Sequence, residues 1–251
     1  MRPGLAHGLL QRPLAMCESA RASDRRRREG FTLLEMAVVI AIIGIMAAVS
    51  APKLEQYFSN QRARDAARDV ANAFRIAQAE AIRTGDPHIV YLTSSAGGNP
   101  PATDPQGTSI GAAPGGAPWP LAIVDDGTPA LSNCHIDPGE AEEHVVSPAI
   151  GVSWGFSLSA GAVAPGDVGG GNPASGSTFT TRPGGPNTTW VMFRPDGIPV
   201  GFDAACTLGG VGSGGGGVYI TNGNRDYAVV LSPLGGVKVH VWNAGVNAWT
   251  N

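Results

Sequence analysis

Residues 25–49 read RRRREGFTLLEMAVVIAIIGIMAAV, and this stretch decides the fold of the chain. Within 31–49, every residue except Thr32 and Glu35 is apolar or glycine. As a helix, these residues extend over ~28 Å, which is just enough to cross the hydrocarbon core of a bilayer. The four arginines directly before them orient the start of the helix toward the cytoplasm. The stretch therefore predicts one membrane-spanning helix.

Glu35 is the unexpected residue of this segment, because a carboxylate inside an apolar span costs about 2.5–3.5 kcal/mol on insertion scales. From the residues alone, two interpretations stay open: the side chain reaches the membrane interface, or it has a partner. An ordinary secretory signal has a short apolar core followed by small residues at a cleavage site. Here the apolar pattern continues as helix instead.

The segment Gly30-Phe31-Thr32-Leu33-Leu34-Glu35 resembles the class III signal of prepilins and type II secretion pseudopilins. Pro52 lies where many of these proteins have a helix-kinking proline. The resemblance implies that a prepilin peptidase cuts between Gly30 and Phe31 and that Phe31 is then N-methylated. It also implies a docking role for Glu35, which would pair with the new ammonium group on Phe31 of a neighbouring subunit, so that the buried charge is compensated on assembly.

Beyond Pro52 the apolar residues recur every three or four positions, which predicts a helix with one buried face. These positions are Leu54, Tyr57, Phe58, Ala63, Ala66, Ala67, Val70, Phe74, Ala77, Ala81 and Ile82. The other face carries the charged residues Arg62, Arg64, Asp65, Arg68, Asp69 and Arg75. Thr84-Gly85-Asp86-Pro87 supplies a glycine stop with a proline just beyond it. We therefore predict one helix from the membrane segment to about residue 85.

From residue 88 onward, short apolar runs bounded by turn residues predict β-strands. The candidates are 88–93, 121–125, 144–146, 152–158, 190–193, 217–221, 227–231 and 237–242. Long loops rich in glycine separate them, at 96–118, 160–185 and 208–216. The predicted fold is α+β: a long N-terminal helix, transmembrane in its first half and amphipathic in its second, packed on a C-terminal antiparallel β-sheet domain.

Two C-terminal patterns resemble the GspH/FimT subgroup of pseudopilins. Residues 193–199 read FRPDGIP, a strand running into a turn, and residues 225–239 predict a final hairpin with a glycine turn. Gly236 stands where many relatives carry arginine, and residues 88–190 match no pattern of the subgroup.

The cysteines give one candidate disulfide. Cys17 falls in the predicted leader, which leaves Cys134 and Cys206. In an oxidising compartment these two could form a bridge that closes a loop of about 70 residues, worth about 4 kcal/mol in the chain-entropy model. The alternative is a pair of unlinked small apolar residues.

Candidate chemistry is sparse in this sequence. None of the five histidines stands in a known nucleophile motif, and Asn133-Cys134-His135 lacks the ligand spacing that zinc needs. Asp125-Asp126 and the acidic residues of 137–143 could offer oxygen ligands to calcium, but they also suit a solvated acidic loop, which we favour. We predict no enzymatic activity, no cofactor and no metal.

These observations predict a leader at 1–30 that is removed, a transmembrane helix at 31–51, an amphipathic periplasmic helix at 52–85 and a periplasmic β-rich domain at 86–251. Met16 is an alternative start of translation. The protein would span the bacterial inner membrane once, with its N-terminus in the cytoplasm.

The resemblance implies a minor pseudopilin of a type II secretion system. Its implied partners are the prepilin peptidase and methylase, other pseudopilins, the inner-membrane secretion platform and membrane lipid. The alternative is a FimT-like minor pilin of a type IV pilus, acting in pilus assembly or DNA uptake. Residues 86–251 carry twelve acidic against four basic residues, a net charge of −8. This charge argues against a nucleic-acid partner.

Overall fold

A computed structural model describes residues 31–92, 102–108, 121–127, 132–137, 140, 142–146 and 151–251. These residues form one long α-helix followed by antiparallel β-strands, so the predicted α+β class is confirmed. The chain divides into two units, Met1–Ala47 and Ala48–Asn251, and the second contains all the strands.

The helix α1 runs from Leu33 to Thr84, with Pro52 inside it. It ends where the sequence predicts, because Gly85 has a φ of 83° and its N–H donates to the carbonyl of Ala81 at 3.1 Å. A positive φ is accessible to glycine at little cost, and it closes the last turn of a helix.

The described strands form two antiparallel sheets of five strands each, in the orders β3-β2-β1-β5-β6 and β10-β9-β8-β7-β4. The first sheet contains β1 (His88–Leu92), β2 (Leu121–Asp125), β3 (Glu142–Val146), β5 (Trp190–Phe193) and β6 (Pro199–Val200). The second contains β4 (Ser153–Trp154), β7 (Gly216–Thr221), β8 (Asp226–Leu231), β9 (Val237–Asn243) and β10 (Ala248–Thr250). A short 3-10 helix, Pro173–Ser175, lies in the connection between β4 and β5.

The main core forms where the second half of α1 meets both sheets. Its helix residues are mostly alanines, which allow close approach of the strands: Ala63, Ala67, Val70, Ala71, Ala73, Phe74, Ala77 and Ala81. Phe74 is fully buried, and its ring lies 5.9 Å from that of Phe179 and 6.4 Å from that of Phe193. Both distances are typical of favourable aromatic pairs.

Two glycine turns hold the sheets against one helix residue, Gln78. Gly197 and Gly235 have φ values of 76° and 88°, and Gly197 is in the turn that the FRPDGIP pattern predicts. The amide of Gln78 donates to the carbonyl of Gly197 at 2.9 Å, and a Cβ at Gly235 would overlap that amide. Glycine is therefore required here for both conformation and space.

Several predicted boundaries differ from the structure. The stripe residues Leu54, Tyr57 and Phe58 are exposed, because they precede the first helix residues that contact the strand unit, Ser59 and Asn60, which accept the side-chain amide of Asn222. Ile82, near the end of the predicted stripe, is exposed as well. The predicted strand 152–158 is reduced to β4, since Ser157 and the two residues after it leave the sheet to donate their N–H groups to Asp226.

The remaining strand predictions agree to within one or two residues, apart from Thr93, which lies outside the described residues. The edge strands β6 and β10 were not predicted, because two or three residues carry no usable periodicity.

The C-terminal end of the predicted loop at 208–216 is packed against other parts of the protein. Ser213 and the three glycines after it are buried, and the hydroxyl of Ser213 accepts the N–H of Gly201 at 3.0 Å. A Cβ at Gly214 would collide with the backbone of Pro199 and Val200. The glycines at this site therefore allow two backbone segments to approach, which a composition-based prediction cannot distinguish from a flexible linker.

Candidate processing and assembly site

The start of α1 is built by a side-chain cap. Thr32 precedes the first helical residue, and its Oγ1 accepts the N–H of Glu35 at 3.2 Å, while its carbonyl accepts the N–H of Met36 at 3.2 Å. These contacts satisfy N–H groups that a helix start leaves without partners. The T-x-x-E spacing is the sequence signal of such a cap, and it assigns Thr32 a role that the sequence analysis missed.

The first half of α1 presents an apolar surface on all sides. Every residue from Phe31 to Ser50 is exposed, including Leu33 at 88% and Phe31 at 75%. An 18-residue window of α1 has a mean hydropathy of 2.5 with none of it buried. By length and composition this is the one helix of the described chain that could cross a membrane. Such a surface is consistent with membrane anchoring.

The carboxylate of Glu35 lies in this apolar surface. Among the residues that the structure describes, no cation stands within 4.0 Å of it. The two predicted site residues that the structure describes, Phe31 and Glu35, are thus both exposed at the beginning of one capped helix. Gly30 and the leader lie outside the described residues.

A family model supports this reading of the N-terminus. The prokaryotic N-terminal methylation motif matches residues 25–51. The chain carries a type IV prepilin-like signal. The motif indicates a protein that is processed by a prepilin peptidase and assembled in the manner of type IV pilins and pseudopilins. It covers the basic segment, the predicted cleavage position and the apolar half of α1, and it ends before the first strand.

No significant match was found among curated proteins or among solved structures.

Cys134 and Cys206 lie far from this signal in the sequence and form a disulfide in the second unit, with their Cα atoms 5.5 Å apart. Cys134 is buried in an apolar cluster on the outer face of the first sheet, and Cys206 packs against the same cluster. Both cysteines have a φ near 60°, which is unusual for residues other than glycine. The bridge therefore joins two tight turns over that sheet.

Three of the acidic residues considered for calcium, Asp126, Asp137 and Glu140, form hydrogen bonds within the protein, whereas Oδ1 of Asp125 and Oε1 of Glu140 have no partner among the described residues. Asp126 accepts the N–H groups of Asn133 and Cys134 at 3.1 Å, and Asp137 accepts the side-chain amide of Asn133 at 2.8 Å. Glu140 accepts the N–H of Asp137 at 2.9 Å. Within the described ranges, no group of three ligating side chains comes together. These carboxylates stabilise a loop through hydrogen bonds to its backbone.

Proposed function

We propose that the chain is a minor pseudopilin of a type II secretion system, of the GspH/FimT type. It would be a structural subunit of the periplasmic pseudopilus that supports protein export. The observation that carries the proposal is the prepilin-like signal placed directly before an apolar helix that continues without a break into the core of a β-rich unit. The role is one of assembly, and no catalytic step by this protein is part of it.

The proposed processing and assembly steps all involve the exposed start of α1. The prepilin peptidase cuts between Gly30 and Phe31 on the cytoplasmic side and methylates Phe31. The new ammonium group then pairs with Glu35 of an adjacent subunit, and the apolar surface of 31–49 leaves lipid for the helical core of the filament. A carboxylate with no cation within 4.0 Å among the described residues is suited to this step, because a buried charge is tolerated only when it is paired.

The subgroup assignment is supported by the two glycine turns. The FRPDGIP turn and the β8–β9 hairpin both contact Gln78 of α1, so the two patterns that resemble GspH/FimT proteins both lie in turns that pack on the helix. In this proposal the unit from residue 48 onward lies in the periplasm, where the bridge between Cys134 and Cys206 is stable.

Mass spectrometry of the mature N-terminus tests the proposal. The chain purified from membranes should begin with N-methylated Phe31, and a Gly30→Ala variant should be retained as the longer precursor. An unprocessed natural chain, or a terminus elsewhere, would contradict it. Deleting the gene should impair export of secreted proteins; loss of pilus-dependent functions with normal export would favour a pilus instead.

A further inference from the structure

A groove of about 700 Å³ lies between the second half of α1 and strands β8 and β9. It is separate from the processing signal and from the disulfide. The residues that line it include Arg64, Arg68, Asn72, Arg75, Arg225 and Tyr227.

Positive charge converges on this groove from two elements. Arg64, Arg68 and Arg75 follow one stripe of α1, at helical spacings of four and seven residues, and Arg225 faces them from the sheet side. From the helical periodicity alone, these helix arginines belong to the charged face opposite the apolar stripe. The periodicity does not predict a groove, because Arg225 is brought close to the helix only by the pairing of distant strands.

The groove arginines are poorly neutralised. None of the described lining residues has an acidic side chain. Arg68 has an exposed contact with Asp65 at 3.7 Å, and Arg75 donates to the amide oxygen of Asn72 at 3.1 Å. An exposed pair of this kind contributes little. In the described part of the chain, no carboxylate lies within 4.0 Å of the guanidinium of Arg64 or of Arg225.

We propose that this groove binds a carboxylate-rich segment of a partner protein. Guanidinium groups recognise carboxylates with paired, charge-assisted hydrogen bonds. A volume of this size accommodates a few side chains. The groove disfavours a single-stranded nucleic acid, because its aromatic residue Tyr227 is only 6% exposed and offers no open ring for base stacking.

The test measures binding of a fluorescent polyglutamate peptide to the full chain in a non-ionic detergent at low salt, by fluorescence anisotropy. A polyglutamine peptide and a single-stranded oligothymidine of equal charge serve as comparison probes. The natural chain should bind polyglutamate and not polyglutamine. The double variant Arg64→Gln, Arg225→Gln should lose affinity by about tenfold or more, as expected when two charge-assisted contacts are removed.

The double variant Arg182→Gln, Arg194→Gln is the matched control, since it changes the net charge equally and neither residue lines the groove. It should bind polyglutamate like the natural chain, and circular dichroism should show that both double variants are folded. Equal losses in the two variants would overturn the site in favour of diffuse attraction. Absence of polyglutamate binding, or tighter binding of oligothymidine through the same arginines, would overturn the proposed partner. None of these outcomes depends on whether the protein belongs to a secretion system.

Discussion

Asp126 shows how burial changes the chemistry of a single residue. Its side chain is fully buried beside the disulfide-linked Cys134, and burial raises its pKa to about 6, although the backbone N–H groups of Asn133 and Cys134 act in the opposite direction. The folded state therefore binds a proton between about pH 4 and pH 6 that the unfolded state has released.

We accordingly expect Asp126 to make the chain less stable as pH rises through this window. Asp126→Asn removes the titration but keeps an oxygen that can accept the same N–H groups. The variant should therefore gain stability relative to the natural chain as pH rises from about 4 to 7, by the order of 1–3 kcal/mol. Denaturant unfolding in detergent, with the disulfide intact, measures the difference at each pH. A difference that does not change with pH would show that Asp126 is ionised normally in the folded chain.

The pKa of Asp226 shifts in the opposite direction from that of Asp126. The stabilities of Asp126→Asn and the natural chain should therefore be compared above about pH 4. Burial would raise its pKa, but hydrogen bonds from Thr221 and from the N–H groups of Ser157 to Ser159 outweigh burial and lower it. Its contribution to stability is present above the ordinary aspartate pKa and is lost as pH falls through its lowered value. Two buried carboxylates of one domain thus respond to acid in opposite directions because they accept different numbers of hydrogen bonds.

At the scale of elements, the contact between α1 and the glycine turns can be measured with a matched pair of substitutions. Gly223 and Gly235 have φ values of 81° and 88°, so a Cβ is strained equally at both. Only at Gly235 would it meet the helix, because nothing lies within 4 Å of a Cβ at Gly223. Gly235→Ala should therefore cost about 1–3 kcal/mol more than Gly223→Ala in denaturant unfolding.

Adding Gln78→Ala tests the cause of this cost. The amide of Gln78 is the group that a Cβ at Gly235 would overlap, so the Gly235→Ala, Gln78→Ala double variant should recover part of the loss. Equal losses for the two glycine variants would mean that this turn does not hold the helix.

The same elements show what the sequence could predict. The end of α1 followed from Thr84-Gly85-Asp86-Pro87, because a glycine stop is a local signal. The strands β7 to β9 followed from short runs rich in apolar residues and bounded by turn residues. The division of the strands into two sheets did not, since it depends on pairings such as that of β1 with β5, which are about 100 residues apart. The arginine groove also depends on residues that are far apart in the sequence, so the sequence did not predict it. The processing signal is one contiguous stretch, so it could be predicted from the sequence.

At the scale of the whole molecule, the first unit has no cation to neutralise Glu35 among its described residues, and its apolar surface has no protein cover. The second unit has a complete core of its own. An apolar surface of this kind needs lipid or another protein to cover it, and under the proposed function Glu35 gains its partner when the chain assembles. Membrane insertion and assembly should therefore respond differently to changes at this residue.

Glu35→Val tests this separation. The variant should reach the membrane fraction at least as well as the natural chain, because valine removes the insertion cost of a carboxylate. Its cross-linking to neighbouring subunits should fall several-fold, because the methylated N-terminus of Phe31 would lose its acidic partner. Glu55→Gln is the control, since Glu55 is an exposed carboxylate of the same helix outside the apolar segment, and it should change neither measurement. Normal cross-linking of Glu35→Val would show that this carboxylate is not the docking group and that apolar contacts alone hold the helices together.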